Sequence, residues 1–259
     1  MSSFIHESAI VSPKAKIGAD CYIGAYSIIG DEVVLGDSIH LESHVVIGGK
    51  TSIGDETRIF PFVSIGLAPQ DLKYAGEPTA TEIGKRNHIR EFVTIHRGTS
   101  GGGGLTKIGD DNLLMAQAHI AQDCMIGNAV IMANAATLAG HVEIADRANI
   151  GAYSGVHQFC RIGLEAFVGG YSVVVKDALP FATIQGNHAK CFGLNRVGMK
   201  RRGYSKDTIS KLHHAFHLLL SSKLNTQQAV EKIKQEVKDC AEVDLLVDFI
   251  ETTKRGVVK

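Results

Sequence analysis

The sequence predicts a parallel β-helix that is followed by a small helical domain. The first observation behind this is an aliphatic residue at every sixth position, with one unbroken run at Ile108, Leu114, Ile120, Ile126, Met132, Leu138, Ile144, Ile150, Val156, Ile162, Val168 and Val174. Amphipathic helices repeat near 3.6 residues and half-buried strands every second residue, so neither explains this period. A period of six is typical of a parallel β-helix, whose short strands each direct one aliphatic side chain into a narrow core. The second observation is that helical spacing replaces the period after Val175.

The same phase runs through the N-terminal part of the chain. Its positions are Ile5, Val11, Ile17, Ile23, Ile29, Leu35, Leu41, Ile47, Ile53, Ile59 and Ile65, and then Ile83, Ile89 and Ile95. With three sides per turn, residues 18 apart should stack, and about nine coils at roughly 4.8 Å spacing give a prism about 40 Å long. Glycine follows the aliphatic residue at Gly18, Gly24, Gly30, Gly36, Gly48, Gly54 and Gly66. These glycines predict corners that need unusual backbone angles.

Two interruptions of the repeat predict protruding loops near residues 67–82 and 97–107. In the first interruption, the positions where the six-residue period requires an aliphatic residue are occupied by Asp71 and Glu77, whose carboxylates are unsuited to the core. The second interruption contains the glycine run 101–104. This run lacks the G-K-[ST] ending of a phosphate-binding P-loop, so we interpret it as a flexible loop.

The chain after the repeat predicts a helical domain. Ser205 is suited to cap a first helix, Thr226 opens a second, and the apolar spacing of residues 243–250 marks a third. We therefore divide the chain into a β-helix over residues 1–190 and a helical domain over residues 191–259.

Composition and charge exclude several classes of protein. Lys plus Arg and Asp plus Glu both number 27, so the net charge of zero gives no global argument for nucleic-acid binding. Residues 1–10 lack the basic region and apolar stretch that predict a signal peptide, and no run reaches the roughly 18 uncharged apolar residues that predict a membrane span. Its five cysteines are scattered and follow no disulfide or metal-ligand spacing. We expect a cytoplasmic protein.

The 18-residue coil brings a set of polar residues together. Asp123 should lie over His141 and Phe159, and Gln122 over Gly140 and Gln158. His119, Gln122, Asp123, His141, His157 and Gln158 thereby converge within about three coils. Histidines clustered with a carboxylate are suited to proton transfer or polar recognition, so this corner is the candidate site.

The order of several motifs resembles a known family. DLKYAGEP, IHRG, NLLMAQAHIAQDC, TLAGH, GVHQFC, GNHA and KRRG occur along the chain. In this order they resemble the UDP-N-acetylglucosamine O-acyltransferases of lipid A biosynthesis. The resemblance implies a left-handed hexapeptide-repeat β-helix and a homotrimer whose sites lie between the β-helices of neighbouring chains. It also implies transfer of an (R)-3-hydroxyacyl group from acyl carrier protein to the 3-hydroxyl of UDP-N-acetylglucosamine. It implies no metal, and no cofactor beyond the phosphopantetheine of the carrier protein.

The same resemblance assigns roles to individual residues. The family's catalytic His-Asp-Cys corresponds to Gln122-Asp123-Cys124, so glutamine stands at the position of the general base. Substrate contacts are implied for Asp71, Lys73, His119, His141, His157, Gln158, Asn195, Arg201 and Arg202. Gly170 matches the end of the acyl groove, where a larger side chain would shorten the acyl chain. Lys190, Arg196 and Lys200, with Arg201 and Arg202, would dock the acidic carrier protein, and Val197 stands where relatives can carry glutamate.

Glutamine at position 122 has a direct chemical consequence. Its amide can hydrogen-bond to a hydroxyl but cannot accept the proton near neutral pH. General-base catalysis contributes about 10²- to 10⁴-fold, so we predict a severe loss of activity with ligand binding retained. Three interpretations remain open: a disabled variant, a natural homologue that only binds UDP-N-acetylglucosamine, and an enzyme in which His119 acts as the base. A zinc-dependent carbonic anhydrase of the γ type is a further alternative through His119, His141 and His157, but no short paired ligand spacing supports it.

Overall fold

The computed structural model describes residues 3–259 and contains a three-sided parallel β-helix with helices after it. The strands are β1 (Phe4–Ile5), β2 (Ile10–Val11), β3 (Lys16–Ile17), β4 (Tyr22–Ile23), β5 (Ile28–Ile29), β6 (Val33–Leu35), β7 (His40–Leu41), β8 (Val46–Ile47), β9 (Lys50–Ile53), β10 (Arg58–Ile59), β11 (Ser64–Leu67), β12 (Ala80–Ile83), β13 (His88–Ile89), β14 (Thr94–His96), β15 (Leu105–Ile108), β16 (Leu113–Leu114), β17 (His119–Ile120), β18 (Met125–Ile126), β19 (Ile131–Met132), β20 (Thr137–Leu138), β21 (Glu143–Ile144), β22 (Asn149–Ile150), β23 (Gly155–Val156), β24 (Arg161–Ile162), β25 (Phe167–Val168), β26 (Val173–Val174), β27 (Ala182–Gln185) and β28 (Lys190–Leu194). The helices are α1 (Arg196–Arg201), α2 (Lys206–Leu220), α3 (Thr226–Glu236) and α4 (Ala241–Glu251).

Three sheets form the sides of the prism, and as far as β26 they are parallel and each takes every third strand; β27 and β28 then extend sheet A. Sheet A begins with β1, β4 and β7, sheet B with β2, β5 and β8, and sheet C contains β3, β6 and β9. In sheet C, Met125 pairs with Glu143 and Glu143 with Arg161, which is the predicted 18-residue register. The sheet order and this register confirm the coil that the six-residue period predicts.

The aliphatic positions fill the interior of the coil. Ile120, Leu138 and Val156 lie on successive strands of sheet B and are buried, as the period predicts. Burial is weaker at the beginning of the coil, because Ile5 is 45% exposed whereas Ile23, one coil later, is fully buried.

The glycines at the corners have a different role from the predicted one. Apart from Gly66, at φ +72°, they do not have positive φ, and non-glycine residues such as Asp20 and Tyr26 take the left-handed conformation instead. A Cβ on Gly18 would lie 2.3 Å from the carbonyl oxygen of Gly36 in the next coil. Close approach of neighbouring coils, rather than backbone angle, therefore requires glycine there.

Both predicted loops exist but are narrower than predicted. The first connects β11 to β12, and these strands include Leu67 and residues 80–82. The second contains a 3₁₀ turn at Ser100–Gly102, and β15 resumes at Leu105. The predicted ranges were too wide because strand pairing continues into both flanks of the first interruption and into the C-terminal flank of the second.

The helical part begins after an antiparallel hairpin of β27 and β28, so the predicted division at residue 190 falls within β28. Ser205 caps α2 as predicted, since its Oγ accepts from the N–H of Thr208 at 3.0 Å. Asn225, one residue before Thr226, caps α3. Within residues 3–259, no helix has both the length and the apolar character needed to cross a membrane.

Candidate active site

The candidate site lies on the edge of the prism between sheets B and C, which we call the B–C corner. Gln122 and Asp123 form the turn between β17 and β18, and His141 lies in the equivalent turn one coil later. The His141 ring stacks on Phe159 of the following coil, with centroids 4.4 Å apart and planes at 8°. The 18-residue arithmetic thus predicted these neighbours correctly.

Asp123 is the most firmly held residue of the corner. Its side chain is 1% exposed, and its Oδ1 and Oδ2 accept from the N–H and the hydroxyl of Thr99 at 2.8 and 2.6 Å. The backbone N–H of Asp123 donates to Thr106 Oγ1 at 2.8 Å. Asp123 Oδ2 also lies 3.7 Å from Nδ1 of His141. The carboxylate is therefore fixed in place and faces the histidine of the next coil.

Gln122 faces the first loop. Its Nε2 lies 3.4 Å from Oδ2 of Asp71, and Oδ1 of Asp71 accepts from the backbone N–H of Lys73 at 2.9 Å. The carbonyl of Gln122 accepts from the N–H of His141 at 3.0 Å. The structure thus brings Asp71 to the corner, while the Lys73 side chain is exposed beside it.

His119 lies on β17 at the side of the corner. Its Nδ1 is 2.6 Å from Thr94 Oγ1, and its ring contacts the edge of His96 at 5.1 Å. Burial, and secondarily His96, lower the pKa of His119 to about 4. Burial also lowers the pKa of His96. His119 is therefore neutral near pH 7, with one ring nitrogen already engaged.

His157 and Gln158 are exposed on the rim of the corner, where Nδ1 of His157 is 3.2 Å from the carbonyl of Gln158. On the side of sheet C, the corner opens into a cavity of about 400 Å³ whose wall includes Asp123, His141 and Lys254. A ligand at the corner can thus reach the His141 ring from solvent.

The remaining predicted residues lie on other edges of the same coil. Asn195 caps α1, and its amide donates to the carbonyl of Glu165 at 3.3 Å. Arg202 pairs with the buried Glu165 at 3.1 Å, in the turn between sheets C and A, and Arg201 is exposed. Gly170 lies between sheets A and B, where a Cβ would meet the carbonyl oxygen of Ala152 at 3.2 Å. One chain therefore does not bring these residues to the B–C corner.

Sequence reasoning missed the threonines that hold the corner. Thr99 is 24 residues from Asp123, and Thr94 is 25 residues from its strand partner His119. The second loop lengthens the spacing from 18, so the simple period does not pair them. Adding the length of the insertion to the period would have found Thr94 opposite His119, but it would have placed Gly98, next to Thr99, opposite Asp123.

The side chains show no arrangement suited to a metal ion. In the part of the chain that the structure describes, residues 3–259, no three His, Cys, Asp or Glu side chains are grouped closely enough to hold one. The zinc alternative through His119, His141 and His157 therefore has no geometric support.

Comparison with known proteins identifies similar sequences and structures. A family model described as UDP N-acetylglucosamine O-acyltransferase, domain 2, matches residues 177–258, and a model of bacterial transferase hexapeptide repeats matches residues 14–49. The chain is 46% identical to LpxA from Acinetobacter baumannii, with a TM-score of 0.96 over 99% of this chain and 100% of that one. It is 37% identical to LpxA, a UDP-N-acetylglucosamine acyltransferase from Bacteroides fragilis, with a TM-score of 0.96 over 99% and 100%. The Arabidopsis UDP-N-acetylglucosamine acyltransferase is 32% identical, with a TM-score of 0.88 over 99% and 100%.

Proposed function

The chain belongs to the UDP-N-acetylglucosamine O-acyltransferase family and is an acyltransferase, and from that premise we propose its reaction. It transfers an (R)-3-hydroxyacyl group from acyl carrier protein to the 3-hydroxyl of UDP-N-acetylglucosamine, the first step of lipid A biosynthesis. The observation that carries the proposal is the B–C corner, where Gln122 contacts Asp71, and where Asp123 and His141, 3.7 Å apart, lie on the wall of a cavity. No further cofactor is required, because the acyl group arrives on phosphopantetheine.

The chemistry requires a base at this corner. The sugar hydroxyl must lose its proton as its oxygen attacks the thioester carbonyl, and the thiolate of the carrier protein leaves. Gln122 can orient the hydroxyl by a hydrogen bond but cannot take the proton. We therefore propose that this chain is slower than a relative with histidine at this position, by about 10²- to 10⁴-fold.

The positions of the other predicted residues support a homotrimer. The B–C corner, the Arg202 region between sheets C and A, and Gly170 between sheets A and B lie on three different edges of the prism. Neighbouring copies around a threefold axis would bring different edges together, which is an ordinary cyclic assembly. Each site would then take Asn195, Arg201 and Arg202 from a neighbouring copy. Light scattering on the native protein tests this, and a monomer would contradict it.

The family likeness also supports the finer features of the proposal. We propose a left-handed coil, a cytoplasmic location, and docking of the acidic carrier protein on Lys190, Arg196 and Lys200, which are exposed. Because exposed charges attract through solvent, this docking should weaken as salt concentration rises.

The deciding experiment is acyl transfer from 3-hydroxyacyl carrier protein to UDP-N-acetylglucosamine, measured on this chain and on Gln122→His in parallel. We expect a rise of about 10²- to 10⁴-fold in Gln122→His, with equal binding of UDP-N-acetylglucosamine in the two proteins. Inactivity of both proteins would contradict the proposal.

Because Gln122 cannot act as a base, a second candidate function is that of a homologue that binds UDP-N-acetylglucosamine without transferring an acyl group. It predicts the same calorimetric binding of the nucleotide sugar and no transfer in either protein. The two candidates therefore separate on the activity of Gln122→His and not on binding.

A further inference from the structure

We propose that His141, oriented by Asp123, accepts the proton in the slower transfer that this chain retains with glutamine at position 122. This inference rests on the proposed acyl transfer, since it names the group that accepts the proton of the sugar hydroxyl. The reaction needs a proton acceptor at the B–C corner, and the amide of Gln122 cannot accept the proton.

The other acceptors at the corner are unsuited to the task. The pKa of His119 is about 4, and its Nδ1 is occupied by Thr94 at 2.6 Å, so it is a weak base near neutral pH. Both oxygens of Asp123 accept from Thr99. His157 is exposed on the rim, and its Nδ1 faces the carbonyl of Gln158 rather than a carboxylate that could stabilise the imidazolium.

His141 has the environment that a histidine base requires. Its Nδ1 is 3.7 Å from Oδ2 of Asp123, and its side chain is 21% exposed, next to the cavity. A carboxylate near Nδ1 favours the tautomer with its proton on Nδ1 and leaves Nε2 free to accept another. Such contacts are often long without substrate and shorten when it binds. Stacking on Phe159 fixes the plane of the ring.

The direction of the Asp123 carboxylate is the central point. In a His-Asp-Cys motif the carboxylate would orient the ring of the histidine immediately before it. Here Thr99 fixes the carboxylate toward His141, one coil further along, while the Gln122 amide turns to Asp71. The orienting carboxylate of the site is therefore held in place 3.7 Å from Nδ1 of a second histidine.

The proposed step is balanced within the site. Nε2 of His141 takes the proton of the sugar 3-hydroxyl while the hydroxyl oxygen forms a bond to the thioester carbonyl carbon. The tetrahedral intermediate collapses, the carbon–sulfur bond breaks, and the imidazolium returns its proton to the departing thiolate. The products are the acylated sugar nucleotide and the free thiol of the carrier protein, and His141 is again neutral.

The test compares His141→Asn in two backgrounds, this chain and its Gln122→His variant. Asn cannot accept the proton, and it tolerates the left-handed backbone of residue 141, where φ is +62°. In this chain we expect transfer to fall by at least about 100-fold. In the Gln122→His background, where another base is present, we expect a loss of no more than about tenfold. His88→Asn, on exposed β13 of sheet A, is the matched control and should leave both rates unchanged.

Thr99→Val is the second variant, because it removes the hydroxyl that holds Asp123 Oδ2 and keeps the side-chain shape. As Thr99 is a positioning residue, we expect a lower kcat in this chain with unchanged binding of UDP-N-acetylglucosamine.

The outcomes separate this inference from the proposed function. If Gln122→His is active and His141→Asn leaves the rate of this chain unchanged, His141 is not the base and the proposed function stands. The same conclusion holds if this chain has no activity while Gln122→His is active. If neither protein transfers an acyl group, the inference falls together with the proposed function.

Discussion

Hydrogen bonds divide the side chains of the B–C corner into fixed and free groups. Thr99 holds Asp123 and Thr94 holds His119, whereas the side chains of His157, Gln158 and Lys73 are exposed. Fixed groups are suited to the reacting atoms, because pre-organised geometry costs nothing at the moment of reaction. The exposed groups are suited to contacts that form only with a ligand.

The buried histidines lead to a prediction about acid stability. The pKa of His119 is about 4 in the folded chain, against an ordinary value of 6.5, so the unfolded chain binds more protons between these values. The stability that neutral His119 provides is complete above pH 6.5 and is lost as the pH falls through about 4. Thermal unfolding of the native protein between pH 7 and 4 measures this loss, and His119→Gln should reduce it because glutamine does not titrate.

The matched control for this prediction is His88→Gln, which removes an exposed histidine from sheet A. It should leave the acid dependence of the unfolding temperature as it is. His96, whose pKa burial also lowers, adds to the same effect and keeps part of it in His119→Gln. Equal acid dependence in His119→Gln and in the unchanged chain would contradict the prediction.

The sequence located the corner residues only where the coil is regular. Asp123, His141 and Phe159 are 18 residues apart, and counting alone placed them in contact. Thr99 reaches Asp123 across the second loop, where the period no longer applies. The direction of the Asp123 carboxylate depends on that loop, so the sequence could not indicate which histidine it faces.

At the scale of elements, the two loops act together on the corner. Arg97, at the start of the second loop, donates to the Tyr74 hydroxyl of the first at 2.9 Å. Glu77 of the first loop accepts from the N–H groups of Ala75 and Ser100 at 2.8 and 3.2 Å. Ser100 follows Thr99, which holds Asp123. The position of the first loop is thereby linked to the carboxylate of Asp123.

Glu77 should order the first loop, and this can be measured. Backbone N–H donors lower the pKa of Glu77 to about 2, so the carboxylate stays charged and bound throughout the neutral range. Glu77→Gln replaces a charged acceptor with a neutral one, which weakens these bonds. We expect faster amide hydrogen exchange over residues 68–79 and 97–104, and weaker binding of UDP-N-acetylglucosamine because Asp71 and Lys73 lie on the first loop.

The control for the loop prediction is Glu32→Gln, an exposed glutamate elsewhere on the coil. It should change neither hydrogen exchange in the loops nor nucleotide-sugar binding. If Glu77→Gln leaves exchange at Ala75 and Ser100 unchanged, the contact between Glu77 and Ser100 does not order the loops in solution.

The corner glycines show that the six-residue period predicts the position of a turn but not the reason why glycine occupies it. The sequence predicted where the coil turns, because glycine follows the aliphatic residue. It did not predict why, since the contact between Gly18 and the carbonyl of Gly36 lies between coils and depends on their spacing. The six-residue pattern of one coil is enough to predict a turn, but the close approach of a corner glycine to the next coil can be seen only when the coils are stacked.

For the molecule as a whole, the two ends of the coil are covered unequally. At the C-terminal end, the N–H of Asp177 donates to the carbonyl of Gly256 at 3.0 Å, and Val258 donates back to Asp177 at 2.8 Å. Val257 and Val258 are buried there, and the hairpin of β27 and β28 adds further cover. At the other end, Ile5 is 45% exposed. Within residues 3–259, β1 pairs with β4 alone, so this coil has one stabilising interface there.

This asymmetry predicts that the same substitution will have different costs along the coil. Ile5→Ala and Ile59→Ala change equivalent positions of sheet A, but Ile59 is fully buried between two coils. We expect Ile59→Ala to lower the free energy of unfolding by about 2–5 kcal/mol through lost burial and cavity formation. Ile5→Ala should cost less than about 1 kcal/mol, because its side chain already meets solvent.

Denaturant unfolding of the two variants and the unchanged chain, all at one protein concentration, measures both costs. Hydrogen exchange gives an independent readout, since the amides of Phe4 and His6, which pair with the second coil, should exchange before that of His119 in the middle of the coil. Equal costs together with uniform exchange would mean that the coil unfolds as one cooperative unit. Graded exchange with unequal costs would place the first opening at the N-terminal coil and leave the B–C corner closed during it.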